Sequence, residues 1–315
     1  MDLSIIIVSY NTRQLTLECL RSVFEQTLDI NYEVIVVDNA SSDDSAGAIA
    51  RSFPQVRLIA SKENHGFARA NNIAAQSTKG DYLLLLNPDT VVLKRAIEKL
   101  LSFTMAHPEA GICGGRTVFP DKSVNPKCCF GEPTAWSLFC RALGLSRIFK
   151  NSALFNPESY GSWAHDTVRQ VDIITGCFFM VKRDLWEQLA GFNPVFFMYG
   201  EEVDFCLRAM KLGYRPLFTP DAEIVHYGEA SEPVKEERIA KVLCAQSALI
   251  REHWPEYKRW WGLAMLLTWV RIGSVVFAVL SKVNSAQFNS QAIVWNSLWK
   301  RRKEWLKGWE AARRP

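Results

Sequence analysis

The chain has 315 residues, of which 48% are apolar; this supplies a large globular core and excludes a disordered chain. The formal charge of +4 divides unevenly: residues 1–250 sum to −4, while twelve Lys/Arg stand against four Asp/Glu from Arg251 onward. Eight scattered cysteines, two of them adjacent (Cys128 and Cys129), form no CxxC pair, so they lack the spacing of a zinc ribbon and read as reduced thiols of a cytosolic protein.

No charged stretch followed by an apolar one precedes Leu3, so no secretory leader is read. "LSIIIVSY" (3–10) is a short apolar run, as expected of a strand buried on both faces in a parallel sheet. In "TRQLTLECLRSVFEQT" (12–27) Leu17, Leu20, Val23 and Phe24 share one face of a helix. "YEVIVVDNASSD" (32–43) repeats the strand pattern and ends on Asp38; 39–45 is a polar loop and 45–53 a helix. "VRLIA" (56–60) predicts a third strand, "GFARANNIAAQS" (66–77) a small-residue helix and "YLLLLN" (82–87) a fourth strand. This alternation predicts an α/β domain with a mostly parallel sheet flanked by helices, whose ligands bind off the carboxyl ends of the strands. Ser9, Tyr10, Asn11, Asp38, Asn39, Asn64, His65, Gly66, Asn87 and Asp89 all fall there.

The middle is less regular. "GGRTVFPDKSVNPKCCFGEP" (114–133) reads as a turn-rich loop or hairpin, and 134–168 carries weak helix signals. "VDIITGCFFMVKRDLWEQLAGF" (171–192) predicts a strand and then a helix, "GEEVDFCLRAMKLGY" (200–214) a helix opening with three acids, and "RPLFTPDAEIVHYG" (215–228) a strand carrying His226. Eight of the eleven tryptophans lie beyond 250. Residues 261–281 match a bilayer in length. Arg271 at their centre costs ~2.5–3.5 kcal/mol on an insertion scale, against ~3–6 returned by the Leu, Ile, Phe and Val residues. Helical spacing sets Leu263, Leu266, Leu267, Val270, Phe277 and Leu280 opposite Ala264, Thr268, Arg271 and Lys282, which suits a helix lying in the interface. "VWNSLWKRRKEWLKGWEAARRP" (294–315) interleaves Trp with Lys and Arg, as an amphipathic helix on an anionic membrane would. The flanking tryptophans favour that interface over nucleic acid for "KRRK".

Asp89, behind a proline at a strand end, is a carboxylate placed to ligate a hard divalent cation, although Asn-Pro-Asp is also good turn chemistry. Glu201, Glu202 and Asp204 favour a helix N-terminus through the dipole, yet their mutual repulsion would also suit one of them to act as a general base. His226 reads either as a satisfied core histidine or as a metal ligand through neutral imidazole. No GxGxxG follows the first strand and no GKS, GKT or GxSxG occurs, which excludes the usual dinucleotide, P-loop and α/β-hydrolase signatures.

Seven blocks, "IIIVSYN", "VIVVDNASSD", "NHGFARANN", "LLLLNPDTVV", "GCFFMVKRDLWEQLAGF", "FFMYGEEVDFCLRAMKLGY" and "IVHYGEAS", resemble in order the inverting, GT-A-fold family 2 glycosyltransferases. The nearest likeness is to bacterial rhamnosyltransferase-like members that build surface polysaccharide, and it covers residues 3–228. The resemblance implies a nucleotide-sugar site. In it Asp38 binds the base, Ser9, Tyr10 and Asn11 surround base and ribose, and Gly66, Phe67 and Asn71 cradle the donor beside Asn39. Asn87-Pro88-Asp89 matches the DxD motif, with Asp89 and His226 as ligands of Mg²⁺ or Mn²⁺. Glu202 matches the catalytic base, with Asp204 and then Glu201 in reserve. Two positions depart from the pattern: Asn87 replaces the first Asp of DxD, and Glu202 stands where Asp is usual.

The expected organisation is a GT-A catalytic domain over 1–250, with a nucleotide-sugar half (1–115) and an acceptor and base half (116–250), and a Trp-rich basic helical tail over 251–315. The expected activity is non-processive transfer of a sugar from dTDP-rhamnose, or alternatively a UDP-sugar, to a polyprenyl-diphosphate-linked saccharide. The expected location is the cytoplasmic face of the plasma membrane, with no nucleic-acid partner. A catalytically degenerate membrane-bound scaffold is the competing reading, supported by Asn87 and Glu202.

Overall fold

A computed structural model of the chain describes residues 1–228 and 234–309. The end of the "IVHYGEAS" block and residues 310–315 of the basic tail lie outside the described residues. In chain order the elements are β1 (Leu3–Ser9), α1 (Arg13–Gln26), β2 (Tyr32–Asp38), α2 (Ser45–Ser52), β3 (Arg57–Ala60), α3 (Gly66–Ala75), β4 (Tyr82–Leu86), β5 (Thr90–Val92), α4 (Ala96–Ala106), β6 (Ile112–Val118) and β7 (Cys129–Phe130). They continue with α5 (Ala135–Ala142), α6 (Leu145–Ile148), β8 (Arg169–Gln170), β9 (Ile173–Ile174), β10 (Phe178–Lys182), α7 (Arg183–Gln188), α8 (Glu201–Lys211), β11 (Leu217–His226), α9 (Lys235–His253), α10 (Glu256–Val283), α11 (Ser285–Lys300) and α12 (Arg302–Trp305).

The chain divides into two compact units. The first holds Met1–Gly131, Trp163–Phe197 and Glu201–Ser231. Its main sheet runs β3-β2-β1-β4-β10-β6-β11-β5, with β8 also paired to β11; a separate ribbon joins β7 to β9. β3, β2, β1 and β4 are parallel, with Ser9 opposite Asp38 and Ile7 opposite Leu86 in register. Every residue of β1 is buried, as its continuous apolar run predicts. Alternate residues serve two layers. Leu3, Ile5 and Ile7 join the core formed with Leu20 and Val23 of α1 and Ile97 and Leu100 of α4. Elsewhere in the unit Phe179, Trp186, Phe192 and Phe205 form a cluster of mostly edge-on rings.

The stretch expected as loop or hairpin from 114 belongs in part to β6, a strand held between β10 and β11. Its glycines hid it, because they lower β propensity, yet packing requires them. A Cβ on Gly115 would stand 2.3 Å from the Ala222 carbonyl oxygen, and one on Gly114 would stand 2.4 Å from Ile174 Cγ2.

The second unit holds Glu132–Ser162, Met198–Gly200 and Glu232–Pro315. The expected boundary at 250 falls within α9. Leu138 of α5, Ala240, Leu243 and Ile250 of α9, Leu266 and Val270 of α10, Leu298 and Trp305 make its core. α10 and α11 pack side by side across the single residue Asn284, whose side chain accepts the Gln287 amide and caps α11. The basic tail, expected as one helix from 294, breaks at Arg301. There the guanidinium reaches Glu237 (2.7 Å) and Glu304 (3.0 Å), and Trp305 turns inward to donate to the Leu298 carbonyl (2.8 Å).

Candidate active site

The carboxyl ends of β1 and β2 lie side by side, and their loops are stitched together by the residues that follow. Ser9 is fully buried, its hydroxyl within hydrogen-bond range of Thr12 and Thr16 (3.1 and 3.0 Å). Asn11 has a left-handed backbone (φ 51°), and its Oδ1 accepts the Ser42 amide (2.8 Å), tying the loop after β1 to the loop after β2. Tyr10 stands exposed between them. Asp38 is buried: its Oδ2 accepts the Ser41 amide (3.2 Å), and its Oδ1 has no hydrogen-bond partner among the described residues. A buried carboxylate oxygen without a donor is costly unless a ligand supplies one.

Asn39 fixes the next loop. It donates from Nδ2 to Asn64 Oδ1 (2.9 Å) and accepts the His65 amide at Oδ1 (2.9 Å), which presents the start of α3. Gly66 opens that helix with φ +74°, and a Cβ there would meet the Phe197 carbonyl oxygen at 2.3 Å. The same carbonyl accepts the Phe67 amide (2.7 Å). Asn71 is buried and donates back to the Phe67 carbonyl (2.9 Å).

Asn87 follows β4 and is half-buried, its amide bonded to the Cys177 carbonyl (3.1 Å) and its own carbonyl accepting from Thr90 Oγ1 (2.8 Å). The chain therefore turns through Pro88 and Asp89 and runs on as β5, antiparallel to β11, with Thr90 opposite His226. This pairing brings Asp89 Oδ1 within 3.3 Å of His226 Nε2. Asp89 is 3% exposed, and its Oδ1 makes no hydrogen bond of good geometry among the described residues. Burial disfavours the His226 imidazolium, but the Cys177 sulfur and the Asp89 carboxylate outweigh it and push His226 up to about 10. A carboxylate oxygen and an imidazole nitrogen side by side fit a hard or borderline divalent cation that displaces the imidazole proton as it binds.

The three acids of α8 differ in their surroundings. Glu201 is buried and Glu202 half-buried in the first turn. Asp204 is buried and accepts from Arg208 Nε (2.8 Å), while Arg208 also donates to the Leu189 and Gly191 carbonyls (2.6 and 2.9 Å). Direct contacts thus join Asn39 to the start of α3 and Asp89 to His226, whereas Glu202 stands on a separate element. Sequence reasoning passed over Cys177, which touches His226, and the Phe197 carbonyl, which shapes the start of α3. Neither carries a local signal, since each acts through a partner more than forty residues away.

Residues 4–135 match glycosyl transferase family 2, and residues 82–309 match glycosyl transferase family group 2. Among curated relatives, an N-acetylglucosaminyl-diphospho-decaprenol L-rhamnosyltransferase of Mycobacterium tuberculosis is 27% identical over 62% of this chain and 66% of its own length. A low-salt glycan biosynthesis hexosyltransferase of Haloferax volcanii is 28% identical over 67% of this chain and 62% of its own. The chain thus spans just under two thirds of the length of these relatives. Among solved structures, a mannosyltransferase from Pyrobaculum calidifontis in complex with GDP-Man and Mn²⁺ superposes with a TM-score of 0.55 at 19% identity, over 98% of this chain and 84% of that one. TarS of S. aureus superposes at 0.52 and 16% identity, over 86% and 43%. At such identities these two likenesses establish the GT-A fold.

Proposed function

The chain belongs to glycosyl transferase family 2, and from that premise we propose that it is an inverting, metal-dependent transferase. It moves a sugar, rhamnose by preference, from a nucleoside-diphosphate donor to a lipid-linked saccharide. The observation that carries the reading is the Asp89–His226 pair: two metal-ligating atoms 3.3 Å apart, beyond the end of β4, with the Asp89 oxygen buried and poorly bonded. The Mn²⁺ and GDP-Man of the archaeal mannosyltransferase support a metal and a nucleotide sugar, and the decaprenol in the mycobacterial relative's name supports a lipid-linked acceptor.

Asp89 and His226 would hold the cation, which when bound supplies Lewis-acid neutralisation of the leaving diphosphate. Asp38 offers its partnerless Oδ1 to a donor on the nucleotide base. The Asn39 network keeps the backbone at Gly66 and Phe67 in place along the donor. Glu202 takes the proton of the acceptor hydroxyl, and Asp204 holds Arg208 and with it the 189–191 turn. A single in-line displacement inverts the anomeric carbon without a covalent intermediate.

One described helix, Glu256–Val283, is long and apolar enough to cross a membrane. We assign it, with α11, to docking at the inner membrane face, where a lipid-linked acceptor would lie. The hexosyltransferase relative is as similar as the rhamnosyltransferase, so UDP-hexoses belong in the test.

That test measures nucleoside diphosphate released from dTDP-rhamnose and UDP-hexoses, with Mg²⁺ or Mn²⁺ and with EDTA, beside Asp89→Ala and Glu202→Gln. Turnover with one donor, lost in EDTA and in both variants, is expected. Metal-dependent donor binding by calorimetry without turnover identifies a missing acceptor. No binding of any donor would replace the transferase with a scaffold.

A further inference from the structure

The first unit buries a second group of metal-binding atoms. Cys128 closes a single 3-10 turn, Pro126–Cys128, and Cys129 opens β7 with an extended backbone (φ −156°, ψ 158°). Adjacent side chains within a strand point to opposite faces. The change of backbone between these two residues instead brings both sulfurs together, 4.0 Å apart. His165, 36 residues on, completes the group: one ligand atom from each of the three residues lies within 4.8 Å of the others, and all three residues are buried.

Each member is held from outside. Asn125 caps the 3-10 turn by accepting the Lys127 amide (3.1 Å), and the Cys128 carbonyl accepts the Thr175 amide (3.1 Å). Cys129 pairs with Ile174 across the β7–β9 ribbon. The imidazole stacks on Trp163 (centroids 4.2 Å) and meets Phe218 edge-on (5.7 Å).

The spacing distinguishes two uses of the thiols. A disulfide requires sulfurs ~2.05 Å apart. A tetrahedral ion ~2.3 Å from each of two thiolates sets them ~3.8 Å apart, and the Cys128–Cys129 separation already matches. The imidazole nitrogen lies within 4.8 Å of both sulfurs and needs an approach of about 1 Å to complete bonds of the Zn–S and Zn–N lengths. Two sulfurs and one nitrogen, with no carboxylate, form a soft donor set that selects zinc and disfavours Mg²⁺ or Mn²⁺. Two thiolates also neutralise a dication in a buried place.

We propose that Cys128, Cys129 and His165 form a zinc site, distinct from the Asp89–His226 pair. Three protein ligands leave a fourth position for water. The site clamps the segment leading into β7 to the segment leading into β8.

The test is a Co²⁺ titration of the reduced full-length protein, following the near-ultraviolet thiolate-to-cobalt absorption. One equivalent giving that band, displaced by Zn²⁺ but not by Mg²⁺ or Mn²⁺, is expected. Cys128→Ser and Cys129→Ser should each weaken binding at least tenfold, and His165→Ala should shift the band. Cys244→Ser, in α9, should bind as the wild type does. A wild-type protein without the band overturns the proposal with no variant needed. A band persisting in the Cys128→Ser/Cys129→Ser double variant, with its circular dichroism unchanged, overturns it as well. Loss of nucleotide-sugar turnover bears on the other site and leaves this titration unaffected.

Discussion

Asp204 and Glu202 share the first turn of α8, and their surroundings separate what each does. Asp204 is buried against Arg208, whose other nitrogens hold the carbonyls of Leu189 and Gly191. Removing one partner of such a pair leaves an uncompensated charge and costs ~3–5 kcal/mol when the pair is fully buried. Arg208 is 23% exposed, so the loss falls toward the lower end. Asp204→Asn should therefore lower the melting temperature by several degrees. Glu202→Gln should leave it near the wild-type value while cutting kcat ~10²–10⁴-fold at unchanged donor affinity. Calorimetry and single-turnover kinetics on both variants decide the assignment. An active Glu202→Gln beside an inactive, fully stable Asp204→Asn would move the base to Asp204. Asp89 and His226 drew notice because polar side chains stand at the ends of apolar strand runs, and the α8 acids because three of them crowd one turn. Their distances were not: the 3.3 Å between Asp89 and His226 depends on β5 turning back along β11, which joins residues 137 positions apart.

At the scale of elements, the alternation up to β4 was legible because parallel strands buried on both faces are continuous apolar runs. β6 was not, since its two glycines answer to Ile174 and Ala222 on other elements. The long apolar helix shows the same limit. Composition left open whether α10 crosses a bilayer or lies along it; the docking proposed above takes the second, and the packing of α10 on α11 is consistent with it. The chain beyond α11 returns to α9: Arg301 reaches Glu237, and Arg251 of α9 donates to the Leu306 carbonyl (2.9 Å). Arg271 lies over the Trp299 ring (5.1 Å), so a lone span would give up that contact and the whole of α11. Besides Tyr257, Trp260 and Ile272, α10 leaves exposed a row of valines, 275, 276, 279 and 283, at 44–82% exposure. Val276→Asp with Val279→Asp should keep the fold and reduce flotation with anionic vesicles at least tenfold. Wild-type protein should be released from those vesicles by alkaline carbonate, whereas retention would mean that the helix spans.

At the scale of the molecule, the basic segment is also part of the architecture. Leu138, Ala240, Leu243 and Ile250 owe their burial to Leu266, Val270, Leu298 and Trp305, all of which follow residue 253. Fully burying an aliphatic side chain of this size is worth ~1.5–3 kcal/mol, so exposing Leu138, Leu243 and Ile250 together removes several kcal/mol, a large share of a domain's net stability. A chain ending at His253 should not behave as a soluble catalytic core. It should aggregate on expression or bind a hydrophobic dye, with a melting transition well below that of the full chain. The paired valine-to-aspartate variant separates the two roles of the segment, because it changes the exposed face of α10 and spares the buried one. If the truncated chain instead proved monomeric, cooperative in unfolding and as active on a soluble acceptor analogue as the full chain, residues 254–315 would be a detachable anchor. The buried row of α10 at Gly262, Leu266, Val270 and Ser274 argues against that result, since it is the side of the helix turned inward within the second unit.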